Sequence, residues 1–292
     1  MTKIFLLLFP MLLLAKMNVA VSYPYIGALV DEVTKGNVNI TVLAKGDWDP
    51  HFVVPKPSLI SKLRRSDALI MNGAQLEIGW LPPLIRRAAN SKVQVNASSF
   101  LNLSHQIKMI QIPQSVDRSL GDVHPDGNPH FHLDPHNIVP LAQSITRFMS
   151  QLDEQHKEEY EKNLQAFVLR WEKNLIRWDA MMKDKRGIKI IQYHDNFAYF
   201  NNAYGLESIA TIEPLPGIPP SSRHVIKLIS IIKSQKPCCI LHDVYHATKT
   251  ANYLKNKTGI KIIIMPHDIH ALDNIESLES LYEYIIKGLH SV

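Results

Sequence analysis

A long helical segment near the middle of the chain divides it into two halves that share one pattern. From Pro140 to about Lys185 the sequence has no strand pattern, and apolar residues recur at intervals of three and four. The recurring residues are Leu164, Phe167, Val168, Trp171, Leu175 and Trp178. Such spacing places them along one face of an amphipathic helix. We therefore expect a long helix that joins two lobes.

Strand patterns alternate with helix patterns on both sides of this segment. In the first half we predict strands over residues 39–44, 67–73 and 92–95, and in the second half over 187–191, 238–241 and 259–265. Strands that alternate with helices favour a parallel sheet covered by helices. The predicted fold is α/β: two lobes, each a mainly parallel sheet flanked by helices, joined by one long spine helix. The predicted boundaries are 23–140 for the N-terminal lobe, 141–186 for the linking helical segment and 187–292 for the C-terminal lobe.

The first 22 residues have the pattern of a secretory signal peptide. A basic start is followed by a leucine-rich core and then by small residues. The apolar core is interrupted by Pro10 and ends near Lys16, which is short for a membrane span. We predict residues 1–22 as the leader, with cleavage near Ala20-Val21-Ser22. No cysteine follows that could carry a lipid, so we expect a soluble periplasmic protein.

The composition narrows the classes of function. The chain has a formal net charge of +5, and its Lys and Arg residues are scattered through helical faces. A nucleic-acid-binding protein would gather them in one stripe with aromatic residues between, so we expect no nucleic-acid partner. The two cysteines, Cys238 and Cys239, are adjacent and cannot readily close an unstrained disulfide. We expect them in a buried strand.

Four metal-ligand candidates lie where such a fold would bring them together. His51, His194 and Asp268 each follow directly on a predicted strand, and His130 lies in the turn-rich stretch Gly121 to Pro135. Ligands bind at the carboxyl ends of strands in open α/β sheets. If the lobes face each other, these four side chains meet in the cleft between them. Three imidazoles and a carboxylate suit zinc, and manganese is less favoured because it prefers oxygen ligands.

Four further residues could contribute to this site. His124 and His132 belong to the same stretch as His130, and His267 precedes Asp268; the sequence leaves open whether any of them joins the metal. Glu77 could accept a hydrogen bond from a metal-bound imidazole, or it could cap a turn. The stretch around His130 taken alone could also be a polar surface loop.

The chain resembles a family of metal-binding solute-binding proteins of ABC transporters, which bind zinc or manganese. The resemblance lies in residues 46–58, 66–80, 121–135, 193–206 and 213–225. It implies His51, His130 and His194 as metal ligands, with an aspartate after the last strand, best matched by Asp268, as the fourth. His132 replaces a tryptophan common in the family. His194 stands where manganese-specific members often have glutamate, which favours zinc.

This resemblance implies an exported substrate-binding component, not an enzyme, that captures a divalent transition metal. The expected cargo is Zn²⁺, with Mn²⁺ as the alternative, and the expected partner is a membrane permease that receives the ion from a monomer. A secreted zinc hydrolase is a second hypothesis, with Asp195 as the candidate base, although no HExxH motif is present. A metal-linked adhesin with the same fold is a third.

Overall fold

Two four-stranded parallel sheets form the centres of two lobes in the computed structural model, which describes residues 15–115 and 124–292. The first sheet contains β1 (Asn18–Val21), β2 (Asn39–Val42), β3 (Ala68–Met71) and β4 (Phe100–Asn102) in the order β2-β1-β3-β4. The second contains β5 (Lys189–Gln192), β6 (Glu207–Thr211), β7 (Cys239–His242) and β8 (Lys261–Ile264) in the order β6-β5-β7-β8. The two lobes therefore repeat one topology, and the predicted α/β fold with two lobes is confirmed.

Helices cover both sheets and connect them. The first sheet is accompanied by α1 (Pro24–Thr34), α2 (Pro57–Arg64) and α3 (Leu81–Ala88). The connection between the lobes consists of α4 (Ile138–Leu152) and α5 (Lys157–Met182). The second sheet is accompanied by α6 (Ala198–Tyr204), α7 (Ser222–Gln235), α8 (Lys249–Thr258) and α9 (Leu278–His290).

The predicted long helix is present, but the helical run is interrupted once. Asp153 has φ −136° and ψ 68°, outside the helical region, and a short 3₁₀ turn leads from it into α5. Its Oδ2 atom accepts a hydrogen bond from the Tyr160 hydroxyl at 2.6 Å and lies 2.8 Å from Nδ1 of His156. Asp153 thus ends α4 and fixes the start of α5, which forms the long helix between the sheets.

One predicted strand is wrong. Residues 92–95 were expected to be extended, whereas Ser91–Val93 form a 3₁₀ turn and the fourth strand comes later, at Phe100–Asn102. Asn90 explains the difference, because its side-chain oxygen accepts a hydrogen bond from the Lys92 amide at 3.0 Å. A side chain that bonds the backbone two residues on stabilises a turn in place of a strand.

β1 lies inside the segment that the sequence pattern assigns to the leader. It pairs with β2 on one side and with β3 on the other, and Val19, Ala20 and Val21 are fully buried. A chain cut after Ser22 would lose a central strand of the first sheet, so the predicted boundary does not fit the structure. The folded lobe begins by Asn18. The remainder of the predicted leader, residues 1–14, lies outside the described residues.

The main hydrophobic core extends through both lobes, and a smaller separate core lies in the second lobe. It contains Val19 of β1 in the first sheet as well as Leu241 of β7 in the second. At its centre Trp171 and Trp178 of α5 contact Tyr282 of α9, with ring centroids 5.4 and 5.6 Å apart. Aromatic pairs of this kind add about 0.5–1.5 kcal/mol each beyond the area they bury. The long helix therefore holds the two sheets in a defined relation, with the loops after their strands near each other.

Candidate metal centre

Three histidines from separate parts of the chain meet between the lobes. His51 follows β2, His194 follows β5, and His130 precedes a short 3₁₀ turn at Phe131–Leu133. One side-chain nitrogen of each lies within 4.8 Å of the other two. The ring centroids are 5.2 Å apart for His51 and His130, 5.3 Å for His51 and His194, and 5.8 Å for His130 and His194. This spacing brings three predicted ligands within reach of one ion.

The turn after β2 orients His51. Oδ1 of Asp49 accepts a hydrogen bond from the His51 amide at 2.9 Å and lies 2.9 Å from its Nδ1 atom. Burial alone would raise the pKa of Asp49, but the contacts with His51 outweigh it and hold that pKa below its usual value. The carboxylate therefore stays ionised and accepts a hydrogen bond from the Nδ1–H group of the ring. This leaves Nε2 of His51 as the atom able to bind a metal.

A second carboxylate orients His194 in the same way. Oε2 of Glu213 lies 2.6 Å from Nδ1 of His194, and Oε1 accepts a hydrogen bond from the Gly217 amide at 3.0 Å. Glu213 follows β6, which pairs with the strand that leads to His194. Both side chains are largely buried. A buried carboxylate that accepts a hydrogen bond from Nδ1–H fixes the ring tautomer and makes Nε2 a better ligand.

His130 is held through its backbone. Oδ1 of Asn128 accepts a hydrogen bond from the His130 amide at 3.0 Å, and Nδ2 of Asn128 donates to the carbonyl of Asp195 in the second lobe at 2.9 Å. Among the described residues no group hydrogen-bonds the buried Nε2 atom of His130. Burial first, and then the nearby imidazoles of His51 and His194, lower the pKa of His130 well below its usual value. A neutral imidazole with a free lone pair is the form that binds metals.

Asp268 is not part of this three-histidine group. Its Oδ1 atom accepts a hydrogen bond from the Ile269 amide at 2.7 Å, and the carboxyl also accepts one from the backbone amide of Tyr25. Tyr25 lies in the first turn of α1, so Asp268 of the second lobe satisfies the amino end of a helix in the first lobe. Burial raises the pKa of Asp268. Its assignment as the fourth metal ligand stays a prediction.

His132 and His267 take part in contacts between the lobes. The ring of His132 stacks on Tyr25 with centroids 4.3 Å apart, and its Nε2 atom lies 2.9 Å from the carbonyl oxygen of His267. Nε2 of His267 lies 3.1 Å from the carbonyl oxygen of Trp48. A carbonyl oxygen can only accept, so each Nε2 carries a proton in these contacts. Both rings are therefore engaged with backbone groups.

Glu77 caps the turn that follows β3. Its carboxylate oxygens accept hydrogen bonds from the amides of Asn72 at 2.7 Å and Gly73 at 3.1 Å. These amides belong to the tight turn after β3, where Gly73 has φ +86°. The side chain is fully buried, and burial raises the pKa of Glu77 to about 7. Glu77 thus contacts the backbone of this turn and the Ser22 side chain.

His124 adds a fourth imidazole next to the three. Its ring centroid lies 5.2 Å from that of His51, at an interplanar angle of 30°. The two residues Asp122 and Val123 before it lie outside the described part of the chain. His124 also lines a pocket together with His130 and His194.

The sequence interpretation missed the carboxylate that holds His194. Glu213 belongs to a segment that carries the family resemblance, but its role was not recognised. The signal that could have found it is positional: Glu213 and His194 each lie two residues after a strand, and those strands are β6 and β5, which are neighbours. A pair of residues just past neighbouring parallel strands lies at one edge of the sheet.

Two α/β lobes joined by a long helix, with buried imidazoles between the lobes, define a protein class with a metal-binding cleft. The chain belongs to the family described as zinc-uptake complex component A, periplasmic, whose model matches residues 19–287. That match begins in β1, in agreement with the place of this strand in the first sheet.

Two relatives of this chain are named as metal-transport or metal-binding lipoproteins. The chain is 26% identical over 254 residues to the iron ABC transporter substrate-binding lipoprotein MtsA of Streptococcus pyogenes, covering 85% of this chain and 78% of MtsA. It is 22% identical over 274 residues to the zinc-binding lipoprotein AdcA of Streptococcus pneumoniae, covering 92% of this chain and about half (51%) of AdcA.

Solved structures share the fold. A crystal structure of ZnuA superposes with a TM-score of 0.80 at 22% identity, covering 95% of this chain and 99% of that one. A manganese-bound periplasmic metal-binding protein from Candidatus Liberibacter asiaticus superposes with a TM-score of 0.75 at 17% identity, covering 94% and 99%. At these identities the likeness establishes the fold.

Proposed function

We propose that this protein is the exported substrate-binding component of an ABC transporter, which captures a divalent transition metal between its lobes and delivers it to a membrane permease. The observation that carries the proposal is the convergence of one nitrogen each from His51, His130 and His194 within 4.8 Å. Nε2 of His130 is buried and has no hydrogen-bond partner among the described residues, which is costly unless the nitrogen binds an ion. Capture of an ion accounts for that arrangement.

Zinc is the cargo that the donor set supports best. Imidazole nitrogen suits zinc, whereas manganese prefers carboxylate, carbonyl and water oxygen. The carboxylates of Asp49 and Glu213 contact the Nδ1 atoms of His51 and His194, so they serve to orient ligands. The relatives named for zinc and for iron show that the family includes proteins for different metals, so the choice rests on this chain's own residues.

The contacts of Asp195 do not favour the hydrolase hypothesis. Its Oδ2 atom accepts a hydrogen bond from Gln111 at 2.7 Å, and its Oδ1 atom accepts one from Gln192 at 2.8 Å. A general base needs a free lone pair directed at the water it activates. Each oxygen of Asp195 already accepts a hydrogen bond from an amide group, so the observed contacts are those of a residue that holds Gln111 and Gln192 in place.

Metal content and competition binding test the proposal. The wild-type protein, stripped of metal and then titrated against a chromophoric zinc chelator, should bind one zinc ion per chain and bind manganese far more weakly. His130→Gln should weaken zinc binding, while His105→Gln, a change at an exposed histidine, should leave it unchanged. Equal zinc affinity in wild type and His130→Gln would refute the proposed site.

We further propose that the protein is exported as a monomer and that any leader is removed before Met17. The Met17 carbonyl accepts a hydrogen bond from the Asn39 amide at 2.8 Å, so pairing between the ends of β1 and β2 begins there. Ala15 offers a small residue for cleavage just before this point. Among the described residues, no helix combines the length and apolar character needed to cross a bilayer. The intact mass of the exported chain tests the processing site, and a mass that begins at Tyr23 would contradict it.

A further inference from the structure

A fourth histidine lies beside the three that converge between the lobes. The ring centroids of His124 and His51 are 5.2 Å apart, the same separation as between His51 and His130. His124 is not in the group whose nitrogens all lie within 4.8 Å of one another. It therefore stands at the edge of the cluster.

The Nε2 atom of His124 is buried, and within the described ranges 15–115 and 124–292 no group hydrogen-bonds it. Burying a polar nitrogen without a partner is costly. His132 and His267 differ because Nε2 of each is hydrogen-bonded to a backbone carbonyl, although Nδ1 of each is also buried without a partner among the described residues. The His124 ring lies next to the imidazole of His51, so the histidine cluster is the environment that explains its position.

The carboxylate that could have completed the site is engaged elsewhere. Asp268 accepts hydrogen bonds from the backbone amides of Ile269 and Tyr25. Asp268 is not in the group whose ligand atoms lie within 4.8 Å of one another, so it would have to shift to bind the ion. A shift that broke these two hydrogen bonds would leave buried amides unpaired, which is costly. His124 needs no such exchange, since its Nε2 atom has no hydrogen bond to give up among the described residues.

The loop that carries His124 is held in place by backbone hydrogen bonds. The Gly127 amide donates to the His124 carbonyl at 3.1 Å, and the Asn128 amide donates to the Ile110 carbonyl at 2.9 Å. Gly127 has φ +103°, and a side chain there would contact the Ile110 carbonyl oxygen at 2.7 Å. Only glycine fits this turn, so the chain between His124 and His130 is fixed at its centre.

We propose that His124 is the fourth ligand of the captured ion, so that the site consists of four imidazoles and selects zinc against manganese. This inference rests on the proposed metal-capture function and specifies its cargo. An all-nitrogen set disfavours Mn²⁺, which lies lowest in the affinity order of first-row divalent metals and prefers oxygen donors. Four neutral imidazoles also complete the tetrahedral sphere that zinc adopts in closed sites.

The test compares full-length folded variants in two measurements. X-ray absorption of the zinc-loaded protein counts imidazole ligands, and competition titration gives the affinities for Zn²⁺ and Mn²⁺. Wild type should show four nitrogen neighbours. His124→Gln should show three with one oxygen and should bind zinc at least about tenfold more weakly, since even residues that only support a ligand contribute about 10–100-fold. His124→Asp should narrow the preference for zinc over manganese.

Controls separate failure of this inference from failure of the proposed function. His105→Gln removes an exposed histidine from the same half of the chain and should change neither measurement. If His130→Gln loses zinc while His124→Gln keeps wild-type affinity and an unchanged ligand count, the metal-capture function stands and His124 is not a ligand. If the wild-type protein binds no zinc, the proposed function and this inference both fall.

Discussion

Replacing Glu213 with glutamine should weaken zinc binding although Glu213 is not itself a proposed ligand. Its Oε2 atom lies 2.6 Å from Nδ1 of His194, and its Oε1 atom accepts from the Gly217 amide. In Glu213→Gln one oxygen becomes an NH₂ group, which cannot accept a hydrogen bond from the Nδ1–H group of His194. Either the His194 contact or the Gly217 contact is then lost, and the imidazole is less firmly held and less basic.

The expected size of the effect follows from this contact. Loss of a group that orients a metal-bound histidine typically costs about 10–100-fold in affinity, or about 1.4–2.7 kcal/mol. The assay is competition against a chromophoric zinc chelator at neutral pH, with the unfolding of the metal-free protein measured alongside. Glu207→Gln is the matched control, because Glu207 is an exposed glutamate on β6, the strand that leads to Glu213.

A double mutant tests whether Glu213 acts through His194. If it does, adding Glu213→Gln to His194→Gln should cause little further loss, because residues that act on one contact are not additive. Zinc affinity in Glu213→Gln within about twofold of wild type would refute the reasoning. So would a full additive loss in the double mutant, since it would mean that Glu213 acts on the metal by a route independent of His194.

Two further predictions concern buried carboxyl groups. Burial raises the pKa of Glu77 from 4.5 to about 7, so between these pH values the folded state keeps a proton that the unfolded state releases. The stability of wild type relative to Glu77→Gln should therefore fall by about 3 kcal/mol as pH rises from 4.5 to 7. Chemical denaturation across this range measures it, and a pH-independent difference would contradict the burial argument. Asp268→Ala should destabilise the metal-free protein by about 1–3 kcal/mol, because two buried amides lose their acceptor. The same change should leave zinc stoichiometry unchanged. Loss of zinc would instead identify Asp268 as a ligand.

The sequence was sufficient for the fold class because local patterns determine it. Alternation of apolar strands with helices predicts parallel sheets, and the stripe from Leu164 to Trp178 predicts the long helix. The interruption at Asp153 could not be predicted in the same way. It depends on the contacts of one carboxylate with His156 and Tyr160, which form only when the chain turns there.

For the site, position after a strand identified His51 and His194, but it could not show where Asp268 is used. The pattern places Asp268 at the right edge of the sheet, and only the packed structure shows that the amides of Ile269 and Tyr25 use its carboxyl group. Similarly, the apolar run ending at Val21 has the composition of both a leader and a buried strand. Its pairing with residues on β2 and β3, far along the chain, distinguishes the two.

The continuous core determines how the protein should respond to heat. Because Trp171 and Trp178 pack with Tyr282 in a core shared by both sheets, neither lobe can melt without exposing apolar surface of the other. Calorimetry should therefore show one cooperative transition for the whole chain. An ion bound between the lobes would increase the free energy of unfolding by about 2.7 kcal/mol at a free metal concentration 100 times the dissociation constant. That single melting temperature would rise accordingly. Thermal shift of the intact protein can thus rank candidate metals without any label.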